Sequence, residues 1–195
     1  GEVVREYQRK GHKAHFGTVF GICGEKGSEL PKGHKGRKFQ GRYVLQGSRA
    51  KDELRQTVIF DELSSSPVTL EASKAVDAYG LVNGNDIQQC GAEQAYVQSE
   101  LGGTDTWVFL PKDKWPDEWR KFKNPVCRLK LSLYGHPDAG GHWEAHCKSK
   151  LQDGGFVSVP DWPSTYWHPK LKLLLMVYVD DFKMSGPKSN MTKGW

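Results

Sequence analysis

Met176-Val177-Tyr178-Val179-Asp180-Asp181-Phe182-Lys183-Met184 sets two adjacent acids between two apolar, strand-forming halves. The run Leu173 to Met184 predicts a strand pair folded about a tight turn, with the acids at the turn. Adjacent carboxylates repel, so a hairpin that presents them together calls for a compensating cation. Mg²⁺ takes hard oxygen ligands, often one or two carboxylates with phosphate oxygens beside them. Phosphoryl-transfer enzymes use such ions in pairs to hold the attacking and leaving oxygens in line. A solvated Asp-Asp turn is the other reading of the same residues.

Outward from this hairpin, the pattern predicts alternating strands and helices. Ser164 to His168 is strand-like, and a helix spans His142 to Leu151, ended by Asp153-Gly154-Gly155. Pro125 to Leu133 alternates polar and apolar residues as a half-buried strand does, and its second half also fits a helix. Trp107 to Leu110 and Ile87 to Ala92 are further strands. Ser66 is the expected cap of a second helix, with Pro67 at its first position and Glu71 in its first turn. Ala72, Ala75, Val76 and Tyr79 form its apolar side, and Gly80 its stop. His15 to Cys23 and Phe39 to Gln46 read as an antiparallel pair around a glycine- and lysine-rich loop, and residues 1–15 as a poorly ordered basic lead. Strands, helix, strands, helix, strands make an α+β fold with helices laid on an antiparallel sheet.

Composition narrows the class. Hydrophobic residues are 37% and charged residues 26% of the 195, as in a soluble globular domain. The longest apolar run is far too short to span a membrane, and no membrane partner is expected. Cys23, Cys90, Cys127 and Cys147 form no Cys-x-x-Cys pair, and they read as reduced thiols of an intracellular protein, cytoplasmic or nuclear. Residues 1–55 hold thirteen Lys/Arg against six Asp/Glu, whereas the remainder holds fifteen against seventeen. That basic third suits nucleic acid or a nucleotide triphosphate; a solvated lysine-rich face has the same composition.

Several blocks together resemble a known family. Tyr178-Val179-Asp180-Asp181 with its apolar flanks is similar to the hairpin of reverse transcriptases. Val126-Cys127-Arg128-Leu129-Lys130-Leu131-Ser132-Leu133-Tyr134-Gly135, then Trp143, resembles the copia-type enzymes of long-terminal-repeat retrotransposons. Gln94 to Leu101 resembles their first catalytic motif, Trp107 to Pro111 the strand after it, and Gly41 to Gly47 a fingers block. The blocks keep the family's order over residues 38–186.

The resemblance implies RNA-templated DNA synthesis from deoxynucleoside triphosphates with Mg²⁺, on an RNA template and a DNA primer. It implies fingers and palm subdomains of a right-handed polymerase over residues 38–186. Residues 1–37 are then a basic N-terminal segment and 187–195 a truncated tail, with the thumb absent. Asp180 and Asp181 are the implied catalytic and metal-binding acids, Tyr96 the ring that excludes a ribose 2′-OH, and Arg42 with Lys38 the triphosphate holders. A guanidinium suits phosphate bidentately.

One position departs from the family. Its first motif opens with an aspartate five residues before the aromatic, and five before Tyr96 stands Gly91. Glycine offers no ligand, so Mg²⁺ binding is expected to be weakened or lost, and the chain to be a degenerate polymerase with little activity. Glu93, two residues on, shares a strand face with position 91 if the strand continues, and would then compensate; Asp86 is the more distant substitute. The alternative function is a nucleic-acid-binding remnant without catalysis. His142 and His146, at helical i,i+4 spacing, have zinc-ligand spacing but no third ligand nearby, and Trp115, Trp119, Trp143, Trp162 and Trp167 are either core residues or base-stacking platforms.

Overall fold

The computed structural model describes residues 1–60 and 66–195. In chain order the elements are α1 (Glu2–Lys10), β1 (Ala14–Lys26), β2 (Lys38–Leu45), β3 (Lys51–Asp52), α2 (Leu70–Gly80), β4 (Asn85–Gly91), β5 (Asp105–Phe109), β6 (Cys127–Arg128), α3 (Ala139–Asp153), β7 (Val157–Ser158), β8 (Thr165–His168), β9 (Leu173–Tyr178), β10 (Asp181–Pro187) and α4 (Met191–Gly194). This is an α+β fold, as expected from the sequence. Two compact units interleave along the chain: Gly1–Glu62 with Glu100–Ala139, and Leu63–Ser99 with Gly140–Trp195. Among the described residues no helix is long and apolar enough to cross a membrane, and all four cysteines are free.

The first unit is organised by β1, whose thirteen residues serve two neighbours. Ala14 to Thr18 pair in parallel with β5, and Val19 to Lys26 pair antiparallel with β2. The parallel pairing is an addition to the hairpin expected there. Val19, Leu45 and Val108 form its small core, flanked by Leu110, Cys127, Leu129 and Leu133. The long strand expected over 125–133 is regular only at Cys127–Arg128, because the segment changes partner. Leu129 N–H donates to the Thr106 carbonyl, and two residues later Leu131 bridges to Glu100. Gly135 has φ 83 and lies against β2, where a Cβ would stand 2.2 Å from the Leu45 carbonyl oxygen. Residues 1–15, expected to lack order, instead contain α1. Its Tyr7 hydroxyl donates to Asp105, which also pairs with Arg128 at 2.8 Å.

In the second unit the sheet runs β4-β10-β9-β8-β7, every pairing antiparallel. Alternation along β9 and β10 gives each face its partner. Leu173, Leu175, Val177 and Met184 pack with Trp143 and Cys147 of α3, and Met191 of α4 joins this core. The tail expected at 187–195 is therefore anchored, and Trp195 also donates its Nε1–H to Gln88. The opposite face meets α2, whose Ala72, Val76 and Gly80 are buried. α2 starts later than expected: Thr69 is the cap, accepting from Ala72 N–H at 3.2 Å. Ser66 N–H is taken by Glu144 of α3 instead. α2 does end at Gly80, yet without the positive φ of a left-handed glycine stop. It lies where α2 touches the sheet, and a Cβ there would stand 1.9 Å from Ile87 Cγ1.

Two outcomes are expected. Gly80→Ala forces α2 off the sheet and lowers stability by about 1–3 kcal/mol, the usual effect of overpacking; an unchanged urea midpoint would refute the close packing. His15 lies in β1 with its Nδ1 buried and unbonded. Burial lowers its pKa below 6.5, against the pull of Asp138, Glu53 and Asp52 and with a small contribution from Lys13. A lowered histidine contributes stability above the unfolded value, and that contribution is lost as pH falls from there through the folded value. His15→Gln should therefore flatten the fall in urea midpoint on acidification, and parallel pH profiles would contradict it.

Candidate functional site

Asp180 and Asp181 lie at a two-residue hairpin turn. β9 and β10 pair out to Tyr178–Asp181, so Val179 and Asp180 alone connect them. Such turns need positive φ at the first central residue, and Val179 supplies it at φ 55. A β-branched residue in that region is strained by about 1–3 kcal/mol and persists only where its surroundings hold it. Two hydrogen bonds do so. Trp143 Nε1–H donates to the Val179 carbonyl at 2.5 Å, and Ala92 N–H donates to the Asp180 carbonyl at 2.7 Å. Trp143 is only 5% exposed, so the turn is tied to the core, while both acids are exposed to solvent.

Across the sheet, Asp181 pairs with Gly91 of β4. A Cβ at position 91 would meet Asp181 Oδ1 and the Asp180 carbonyl oxygen, each at 3.8 Å. That is ordinary contact distance, so a side chain has room there. The acid facing this position is Asp181. The strand does not continue to Glu93. β4 ends at Gly91, the chain turns through Gln94 at φ 51, and the alternation stops with the strand. Asp86 pairs with Gly186 at the other end of β4.

Asp181 shares its face with Lys183, which is 9% exposed. The Lys183 ammonium donates to Asp77 at 2.8 and 2.9 Å and to Ser73 at 3.0 Å, all on α2. A lysine at a buried position of an apolar strand requires such a partner. That was the signal in the sequence, and it was missed. Tyr96 lies on the other face. It packs on the α3 side of the core and lines a small cavity of about 50 Å³ with Trp143, Cys147, Tyr166, Val177 and Val179. It thus reaches the turn, but not the face that Asp181 and position 91 share. Burial, with the Glu144 charge adding to it, pushes the Cys147 thiol up to about 11. Burial and the same neighbours push Tyr166 up to about 12. Both groups stay neutral, and Glu144, Ser66 and Ser164 give the same cavity a polar side.

Arg42 and Lys38 belong to β2 of the first unit. Arg42 pairs across to Ile22 and holds its guanidinium 5.7 Å from the centre of the Tyr134 ring. Lys38 begins the strand opposite Lys26. Among the described residues no three His, Cys, Asp or Glu side chains are grouped to hold a metal ion, and this includes His142 and His146. The carboxylates of Asp180 and Asp181 suit one hydrated Mg²⁺ completed by phosphate oxygens. At position 91, Gly91 supplies no side-chain oxygen.

Trp143→Phe keeps most of the ring volume and removes the N–H held by Val179. Stability should fall by about 1 kcal/mol, the net value of one hydrogen bond, and the Ala92 amide should exchange faster as the turn loosens. Exchange at the parent rate would show that Trp143 does not hold the turn.

No curated protein matches the chain. The family model described as reverse transcriptase (RNA-dependent DNA polymerase) matches residues 29–195. The match takes in the acidic hairpin, the strand facing it and both helices that sandwich the sheet. With most of its length matched, the chain belongs to the reverse transcriptase (RNA-dependent DNA polymerase) family.

Proposed function

We propose that the chain is a fingers–palm portion of a copia-type retrotransposon reverse transcriptase that has lost most or all of its polymerase activity. The supporting observation is the pairing of Asp181 with Gly91. Where a second carboxylate would share ions with the hairpin, the chain carries only a hydrogen atom, with room for a Cβ at ordinary contact distance. A single hydrated ion on Asp180 and Asp181 screens phosphate charge but cannot hold attacking and leaving oxygens together. On this reading Tyr96, at the turn, excludes a ribose 2′-OH, and Arg42 and Lys38 hold a triphosphate. The domain division goes with it: 38–186 carries the polymerase fold, 1–37 is a basic lead, and 187–195 is the tail. A second reading, nucleic-acid binding without catalysis, is favoured by the excess of thirteen Lys/Arg over six Asp/Glu in residues 1–55.

The test restores the missing ligand. Gly91→Asp adds a third carboxylate within contact of Asp181, so without metal the variant should melt below the parent through like-charge repulsion. With Mg²⁺ the order should reverse, because a ligand that binds only the native state stabilises it, by about 2.7 kcal/mol at a hundred times its Kd. For a chain of this size each kcal/mol moves Tm by about 2–4 °C. Primer extension with Mg²⁺ or Mn²⁺ by the parent should be absent or weak. Equal Mg²⁺ shifts in both proteins, or robust extension by the parent, would overturn the reading.

A further inference from the structure

A groove of about 860 Å³ opens in the first unit. Its lining is mainly apolar: Phe16 is buried, and Val3, Val4, Phe109, Pro125 and Val126 are half-buried along it. Trp119 and Phe122 join them, and Phe122 is 53% exposed. Beside these stand four cations, Arg49, Lys51, Arg55 and Lys123, against two acids, Glu2 and Asp52. Lys51 donates to the Thr57 hydroxyl, and Asp52 Oδ1 takes the Leu54 and Gln56 amides. Among the described residues Arg49, Arg55 and Lys123 have no acid partner. The first residues of α1 and Phe16 to Thr18 supply part of the lining, and both precede residue 29, where the family match begins.

We propose that this groove docks an acidic amphipathic helix of a partner protein. Apolar surface left in water is unfavourable, and covering it drives association. A helix with apolar residues at i, i+3, i+4 and i+7 lays such a stripe into a groove. Cations without acids beside the apolar lining call for carboxylates flanking that stripe, and opposite charge selects the partner. A strand cannot be added here instead. Ala14 to Thr18 of β1 pair with β5 along one edge. Along the other, Phe16 pairs with Lys51, and the Thr18 carbonyl accepts from the Gln46 N–H. With both edges taken, the partner meets side chains and not backbone. Bases would find few ring faces: Phe16 is buried, Phe109 and Trp119 are half-buried, and the Lys121 ammonium stands 5.3 Å from the centre of the Phe122 ring. Valine and proline side chains offer bases no platform, whereas leucine and phenylalanine bury apolar area against them.

The test uses a fluorescein-labelled peptide of about 15 residues, long enough to hold a helix. It carries Leu or Phe at every third or fourth position and Glu, Gln and Ala elsewhere, and is titrated against the whole chain by fluorescence anisotropy. The parent should bind it with an affinity that falls as salt rises. A scrambled peptide of the same composition, which has no stripe, should bind about tenfold more weakly, and a version with Lys in place of Glu should not bind. Arg49→Ala/Arg55→Asn/Lys123→Ala should weaken binding of the striped peptide about tenfold and flatten its salt dependence. Asn is chosen at 55 because that residue has φ 65, which asparagine tolerates. Phe122→Ser, at an exposed position, should weaken it by a similar factor with the salt dependence kept. Lys148→Ala/Lys150→Ala/Lys193→Ala removes the same charge from the second unit and should change nothing. No binding of the striped peptide, equal binding of the scrambled one, parent-like affinity in either groove variant, or equal loss in the charge control would each overturn the proposal. So would displacement of the peptide by equimolar oligo(U), since that would give the groove to a polyanion without an apolar stripe.

Discussion

Lys183 is a charge in the middle of a buried strand, and its ion pair with Asp77 fixes the second unit. Strand alternation has a period of two, so a slip of one residue would carry the ammonium into the apolar layer against α3. Asp77 and Ser73 of α2 hold it on the opposite face at 2.8 to 3.0 Å. Removing either partner would leave a charge poorly compensated, which is far more unfavourable than the pair is favourable. With Lys183 held, Met184 must enter the core and Asp181 must stand beside Gly91. One polar contact thus sets the register of β10, the seating of α2 and the surroundings of the acids.

The turn shows how a core supports strain at a surface. Val179 would relax from φ 55 if it were free. The indole of Trp143, buried among Cys147, Tyr166 and Val177, takes its carbonyl from within, and Ala92 takes the next carbonyl from the strand edge. The acids remain in water while their backbone is rigid. Rigid backbone beneath solvated carboxylates is an arrangement suited to capturing a hydrated cation with little reorganisation. The neutral Cys147 and Tyr166 below add no competing charge.

The first unit solves a different problem with fewer apolar residues. β1 is long enough to lend one half to β5 and the other to β2, so a single strand binds segments distant in sequence. The close approach of Gly135 to Leu45 lets the chain return against β2, where any side chain would collide with the backbone.

The sequence by itself determined the α+β class, the acidic hairpin and α3, because each is written in local alternation, helical spacing or a turn between apolar halves. It also singled out Gly91, on which the proposed loss of activity rests, since the spacing from Tyr96 is a matter of counting. Tertiary structure decided what depends on partners distant in the chain. The start of α2 moved to Thr69 because Ser66 is held by Glu144. Gly80 proved to be a contact point, as its neighbour Ile87 comes from another element. The segment around 127 lost regularity by changing partners between β5 and the 100–101 turn. Glu93 lies beyond the end of β4, so the alternation that would carry it onto the face of position 91 is not continued. Tyr96 and Asp181 fell on opposite faces because β10's register is set by Lys183 reaching Asp77, more than a hundred residues earlier in the chain. Local sequence fixes which residues can form a strand, whereas the side a residue faces belongs to whatever the strand packs against.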